Sequence, residues 1–125
     1  MVSDMTMEAT LSSHLQELRR GTVVVASLTV LRTPGYGYSL LETLSEAGFE
    51  VEANTLYPLL RRLESQGLLT SSWNTDEARP RKFYRTTEQG EAIAAALRGE
   101  WSRLNTAVTD LDEPAPAGPT MGSDK

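Results

Sequence analysis

The chain has 125 residues, of which 39% are hydrophobic and 23% charged, and its formal net charge is −5. This length supports one domain with one core, and no apolar run approaches the roughly 18 residues of a membrane span. Because there is no cysteine and only one histidine, disulfides, thiolate nucleophiles and Cys- or His-based metal sites are excluded. We predict a cytoplasmic protein with no cofactor and no membrane partner, since the N-terminus also lacks a signal pattern.

The charge is unevenly distributed along the chain. Residues 54–87 carry six basic and three acidic side chains, a local charge of +3, whereas the remainder carries −8. A phosphate backbone responds to such a local positive patch. The acidic total therefore permits DNA binding without requiring it.

The first thirty residues contain one clear helical pattern and one ambiguous segment. Residues 1–7 show little pattern and are predicted to be a disordered tail. From residue 8 to residue 20, Leu11, Leu15 and Leu18 repeat at spacings of 4 and 3, which predicts a short amphipathic helix. The β-branched run 22–31 has the composition of a strand, but its length and its lack of a hairpin partner leave a buried helix open.

The next two predicted helices form a helix-turn-helix. The second helix runs from Tyr36 to Ala47 and ends at Gly48, and a six-residue connector leads from it to a third helix. The third helix reads NTLYPLLRRLESQG over residues 54–67, with Asn54 as its predicted N-cap. Its apolar stripe consists of Leu56, Leu59, Leu60 and Leu63.

The opposite face of this third helix carries two arginines, Arg61 and Arg62, together with Pro58 and Ser65. Taken alone, the stretch could be an ordinary amphipathic surface helix with solvated arginines. The hairpin that follows argues for more. Strand-like segments 68–74 and 81–87 flank a charged loop, and basic residues lie on the returning side, which is typical of a wing.

A long C-terminal helix is predicted from Glu88, with Thr87 as its cap. Its apolar residues are spaced by 4, 3, 4 and 3 positions, a pattern typical of a coiled coil. They are Leu97, Trp101, Leu104, Val108 and Leu111. One domain has little else with which to cover such a stripe, so a homodimer is predicted. The predicted interface residues are Leu11, Leu15, Leu18, Leu97, Trp101, Leu104, Val108 and Leu111. Residues 112–125 are rich in Pro and Gly and are predicted to be disordered.

Three segments, GYGYSLLETL (35–44), NTLYPLLRRLESQGLLTSSW (54–73) and ARPRKFYRTTEQG (78–90), resemble the PadR family of bacterial transcriptional regulators. The resemblance covers roughly residues 20–111. It implies a mostly α fold with a small β-hairpin, a winged helix-turn-helix over residues 8–87 and a dimerisation helix over 88–111. It also implies that residues 22–31 are helical. Two departures are Ala78 and Asn54, which stand where the family commonly has glycine.

The resemblance implies a sequence-specific DNA-binding regulator, usually a repressor, that binds double-stranded DNA as a homodimer. Two-fold symmetry would match an inverted-repeat operator with half-sites about 10 base pairs apart. The N-terminus of the third helix would lie nearest the bases, and the arginines and the wing would hold the phosphates. The implied DNA-contacting residues are Asn54, Thr55, Tyr57, Pro58, Arg61, Arg62, Arg79, Arg81 and Lys82.

Trp101 has two possible roles in this scheme. Its indole could simply fill the dimer core, or it could bind an effector. Some PadR regulators that resemble this chain hold planar aromatic compounds between facing tryptophans, and Trp101 lies at the matching place in the terminal helix. The residues that would line such a site are Leu15, Leu18, Leu97, Trp101, Leu104 and Asn105.

Two other functional classes compete with this interpretation. An enzyme would need an activated nucleophile, a metal cluster or an acid–base pair, none of which the sequence patterns indicate. A winged-helix module that binds protein rather than DNA is the closer rival, although the basic third helix and wing argue against it.

Overall fold

A computed structural model describes residues 4–76 and 78–113 as four helices and a small antiparallel sheet. The elements are α1 (Asp4–Val30), β1 (Gly35–Tyr36), α2 (Gly37–Glu46), α3 (Ala53–Ser65), β2 (Leu69–Asn74), β3 (Arg81–Thr86) and α4 (Glu88–Asp112). This arrangement confirms the predicted mostly α class, with a helix-turn-helix followed by a wing. Among the residues described, no helix is long and apolar enough to cross a bilayer.

The N-terminal region is one continuous helix of 27 residues. The predicted helix end at Arg20 is wrong, and so is the predicted tail for residues 4–7, which lie in the first turns of α1. Residues 1–3 lie outside the described part of the chain. The β-branched run is helical because Val23, Leu28 and Leu31 are buried in the core. The Thr29 hydroxyl donates to the Val25 carbonyl at 2.8 Å, so that threonine hydroxyl is satisfied within the helix.

The core forms where α1, α2 and α3 meet the sheet. Each fully buried leucine contributes roughly 1.5–3 kcal/mol of hydrophobic stabilisation. The core is therefore strong enough to override the strand propensity of residues 22–31. Its buried residues are Val23, Leu28, Leu31, Leu40, Leu44, Leu56, Leu60, Leu63, Leu69, Tyr84 and Ala94.

Two glycines end α2 and α3 in the same way. Gly48 and Gly67 have φ values of 101° and 80°, in the left-handed region that glycine adopts without steric cost. The next residue in each case donates back to the last turn, from Phe49 N to Leu44 O at 2.8 Å and from Leu68 N to Leu63 O at 2.9 Å. These two glycine C-caps let the chain turn sharply at the end of each helix, which keeps the helix-turn-helix compact.

The sheet has the strand order β1–β3–β2, and both pairings are antiparallel. The strand β1 was not predicted, since Tyr36 was assigned to the second helix. In the structure Tyr36 pairs with Phe83. β1 forms because the chain between α1 and α2 runs along the free edge of β3. This pairing covers the exposed edge of the sheet.

The helix α4 begins at a side-chain cap and then leaves the core. Thr87 Oγ1 accepts a hydrogen bond from Gly90 N at 3.0 Å, which confirms the predicted cap. Gly90 packs directly on the Leu68 carbonyl, and a side chain at this position would collide with that backbone oxygen. After Arg98, whose Nη1 donates to Thr29 Oγ1 at 3.2 Å, α4 extends with an exposed apolar stripe. The predicted C-terminal tail begins too early, since α4 includes Asp112, and residues 114–125 lie outside the described range.

Two glycine substitutions in α4 should have opposite effects on stability. Gly90→Ala places a methyl group against the Leu68 carbonyl and should lower the free energy of unfolding by about 1–3 kcal/mol or more. Gly99→Ala meets nothing within 4 Å and should raise it by about 1 kcal/mol through better helix propensity. Urea unfolding of both variants checks this. An unchanged stability in Gly90→Ala would contradict the close approach of α4 to the sheet.

Candidate nucleic-acid interface

The outward face of α3 is polar and basic. Leu56, Leu60 and Leu63 are buried, and because the helix has a period of 3.6 residues the opposite side must face solvent. That side exposes Asn54, Thr55, Pro58, Arg61 and Arg62. Five of the predicted DNA-contacting residues therefore lie together on one exposed surface.

The start of α3 differs from its prediction. The N-cap is Glu52 rather than Asn54, and the Glu52 carbonyl accepts from Thr55 N and Leu56 N, each at 2.9 Å. Asn54 is the second residue of the helix and is exposed. Pro58 lies inside the helix, and since proline has no N–H it cannot donate to the carbonyl of Asn54. The Asn54 carbonyl, which lies next to the polar face, therefore lacks its usual helical donor.

Tyr57 lies between the two helices of the helix-turn-helix. It is half-buried, and a Cβ built on Gly37 would come within 2.5 Å of Tyr57 Cε1. The ring therefore packs against the first residue of α2, and only glycine at position 37 permits that approach. Tyr57 therefore takes part in the contact between α2 and α3, and its base-edge or phosphate contact stays a prediction.

The basic residues of the wing divide between the two faces of the sheet, because successive residues of a strand point in opposite directions. Lys82 faces α3, where its Nζ lies 3.3 Å from Glu64 Oε1. The Ser71 hydroxyl donates to the other carboxylate oxygen of Glu64. Lys82 is thus half-buried in a contact that ties the wing to α3, rather than fully available to a phosphate.

Arg81 occupies the other face of the sheet. Its guanidinium lies over the Tyr36 ring, 4.2 Å from the ring centroid, and it remains exposed. Arg79, in the loop before it, is also exposed. Arg79 and Arg81 are therefore the predicted wing residues whose charges face solvent.

The contact network around Glu64 lowers the pKa of its carboxyl group. The hydrogen bond from Ser71 is the main cause, and the hydrogen bond and charge of Lys82 add to it. A lowered pKa means that the folded state favours the ionised carboxylate. Ionised Glu64 therefore stabilises the attachment of the wing to α3.

The predicted interface and effector residues lie on an open surface of the single chain. Trp101 is 60% exposed, Leu18 is 72% exposed and Leu111 is 85% exposed. The other members of the set are exposed or, in the case of Leu15, half-buried: Leu11, Leu15, Leu97, Leu104, Asn105 and Val108. A groove of about 680 Å³ lies elsewhere, between α1 and α3, with Val23, Val51 and Leu59 among its lining residues.

Three residues that organise the wing were not predicted from the sequence, namely Tyr36, Glu64 and Asn74. Tyr36 matched the spacing of a helix face and was assigned to that face. Glu64 was counted only as a local negative charge. Its position one residue after the apolar stripe, in a helix followed directly by a hairpin, was the available signal. Nothing in the sequence indicated that the Asn74 side chain reaches Tyr36.

The Glu64 contact predicts a pH-dependent stability. Because the folded pKa lies below the ordinary value of 4.5, the stabilisation is present above that pH and is lost as the pH falls through the folded pKa. Glu64→Gln should therefore be less stable than the wild type at pH 7, and the difference should shrink below about pH 4.5. Glu42→Gln, a change of an exposed carboxylate on α2, should stay within about 0.5 kcal/mol of the wild type. Urea unfolding across a pH series measures both variants, and a difference that is independent of pH would contradict the ionic contact.

Comparison with known proteins places this architecture in a family. A family model described as the transcriptional regulator PadR-like family matches residues 27–96, which include the helix-turn-helix and the wing. A protein of Mycobacterium tuberculosis named as a transcriptional regulator is 44% identical over 73 residues, 58% of this chain and 68% of that protein.

Solved structures agree with this match. A PadR family transcriptional regulator from Eggerthella lenta is 48% identical, with a TM-score of 0.82, over 87% of this chain and 97% of that one. A PadR-like transcription factor from Bacteroides fragilis is 32% identical, with a TM-score of 0.67, over 79% of this chain and 98% of that one. The fold, the exposed basic helix and the sequence matches agree, and the chain belongs to the PadR-like family of transcriptional regulators.

Proposed function

We propose that this regulator binds double-stranded DNA in a sequence-specific manner, as a homodimer on an inverted-repeat operator, and represses transcription. The observation that carries the proposal is the exposed face of α3, where Arg61 and Arg62 lie opposite the three buried leucines of this helix. Membership of a family of transcriptional regulators supports it.

In the proposed complex the N-terminal half of α3 enters the major groove. Asn54, Thr55 and Pro58 lie nearest the base edges, and Arg61 and Arg62 lie one turn further along, near the phosphates. Arg79 and Arg81 reach the neighbouring backbone from the wing. Lys82 contributes mainly by holding the wing against α3 through Glu64.

The exposed apolar stripe supports the proposed dimer. Leu97, Trp101, Leu104, Val108 and Leu111 are all exposed in the single chain. Burying apolar surface is worth roughly 25 cal/mol per Å², so a stripe of this length has a strong tendency to pair. A second copy offers the same stripe, and two-fold symmetry would bring the two copies of α4 together.

Fluorescence anisotropy tests the proposed DNA binding. Labelled DNA from upstream of the protein's own gene is compared with a scrambled duplex across a salt series. We expect tighter binding to the upstream duplex, with an affinity that falls steeply as salt rises. Arg61→Ala should weaken binding by about 1–3 kcal/mol. Arg103→Ala removes the same charge from the exposed side of α4 and is the matched control. For this variant the salt slope, which is the slope of log affinity against log salt concentration, should not change.

Two outcomes of that assay would contradict the proposal. Equally weak binding to both duplexes, with no salt dependence, would favour the alternative of a winged-helix module that binds protein. Wild-type affinity in Arg61→Ala, measured in the same salt, would show that the outward face of α3 does not contact DNA.

We further propose that the dimer centre binds a planar aromatic effector on Trp101. The exposed indole offers a wide stacking face, and exposed Leu97 and Leu104 lie about one helical turn to either side of it. The lining would include Leu15, Leu18, Leu97, Leu104 and Asn105. Effector binding would alter the spacing of the two α3 helices, and it can change DNA affinity only by its preference between spacings, typically 1–3 kcal/mol.

Indole fluorescence separates this role from simple filling of the dimer core. Planar cationic compounds and phenolic acids should quench the emission of the wild type. The Trp101→Ala variant, which retains Trp73, should show no such quenching. Trp73 is 63% exposed on β2, so it serves as an internal control for non-specific quenching. Equal quenching in both proteins, or none in either, would assign Trp101 to packing alone.

A further inference from the structure

Tyr36 is the point at which all three strands of the sheet are joined through side chains. It belongs to β1, immediately before α2, and its ring stacks on the Phe83 ring of β3. The two ring centroids are 4.4 Å apart and the ring planes differ by 10°. The Arg81 guanidinium, also from β3, lies over the Tyr36 ring at 4.2 Å from its centroid.

The hydroxyl of Tyr36 extends this stack to β2. It accepts a hydrogen bond of 2.7 Å from Asn74 Nδ2. Asn74 is the last residue of β2, and its Oδ1 accepts from Asp76 N, at 3.0 Å, in the wing loop. A single side chain beside the helix-turn-helix thus contacts the outgoing strand, the returning strand and, through Asn74, the loop of the wing.

The stack lies outside the hydrophobic core. Neither Tyr36 nor Phe83 belongs to the buried cluster that α1, α2 and α3 build with the sheet, and both rings are half-buried. The contacts of Tyr36 are directed to the wing rather than to the helices. Its contribution should therefore fall on the position of the wing more than on the stability of the fold.

We propose that Tyr36 is a positioning residue for DNA binding, which fixes the wing and orients Arg81 before the protein meets its operator. This proposal rests on the proposed DNA-binding function. A two-stranded ribbon that projects from a sheet has few restraints of its own. An arginine that is held in advance over an aromatic ring loses less side-chain freedom on binding, and its charge stays on the exposed side of the wing.

Substitutions at Tyr36 and Asn74 in the full chain test the proposal by operator binding. Tyr36→Leu keeps apolar volume but removes the flat ring and the hydroxyl. It should weaken binding by about tenfold and lower the magnitude of the salt slope by about one, as Arg81→Ala should. Tyr36→Phe removes only the hydroxyl and should give a smaller loss. When it is added to Asn74→Ala it should give no further loss, because the two variants remove the same hydrogen bond.

The control variant is Thr70→Val, which removes an exposed hydroxyl near the other end of β2 and should leave affinity and salt slope unchanged. Thermal midpoints are measured for every variant. A Tyr36→Leu protein that binds the operator like the wild type would overturn the proposal. So would one that loses affinity only in proportion to a lowered thermal midpoint, because that result would assign Tyr36 to stability alone.

Failure of the proposed function itself is distinguishable. If the wild type shows no salt-sensitive DNA binding, amide hydrogen exchange tests the positioning role without DNA. Tyr36→Leu should then speed exchange at Asp76 and in residues 81–83, while exchange in α3 stays as in the wild type. Unchanged exchange in the wing would overturn the positioning role as well.

Discussion

Burial of the leucine stripe of α3 determines what the rest of this molecule can do. Leu56, Leu60 and Leu63 are removed from water between α1, α2 and the sheet, and a helix that buries one face must present the other. That constraint points Arg61 and Arg62 outward together. The basic surface is therefore a consequence of the core, and a loss of the core would remove it.

The wing is attached to this helix unit from both faces of its sheet. On one face Glu64 accepts from Ser71 and pairs with Lys82, which fixes β2 and β3 to the end of α3. On the other face the Tyr36 ring contacts Arg81 and Phe83. Alternation along β3 assigns neighbouring basic residues to different tasks, one to internal attachment and one to the exposed surface.

The N-terminal part of α1 and the C-terminal part of α4 extend beyond the core and leave apolar surface exposed, including Leu18, Trp101 and Leu111. The two helices contact each other near the core, where Arg98 donates to Thr29. In the proposed dimer this surface would be buried. The position of the two copies relative to each other would then set the spacing of their α3 helices. A ligand at the junction could then act on DNA affinity through geometry alone.

The sequence by itself determined the amphipathic helices, the glycine ends of α2 and α3, the Thr87 cap, the hairpin and the basic outward face of α3. Each of these follows from local periodicity or from the conformational preference of one residue. Residue composition left residues 22–31 open between strand and helix, and the tertiary structure makes them helical up to Val30. Only the tertiary structure decided that Tyr36 forms a strand, and that Lys82 is tied to Glu64 whereas Arg81 stays exposed. Those outcomes depend on contacts between residues that are distant in the chain, and burial and pairing energies there outweigh local propensity.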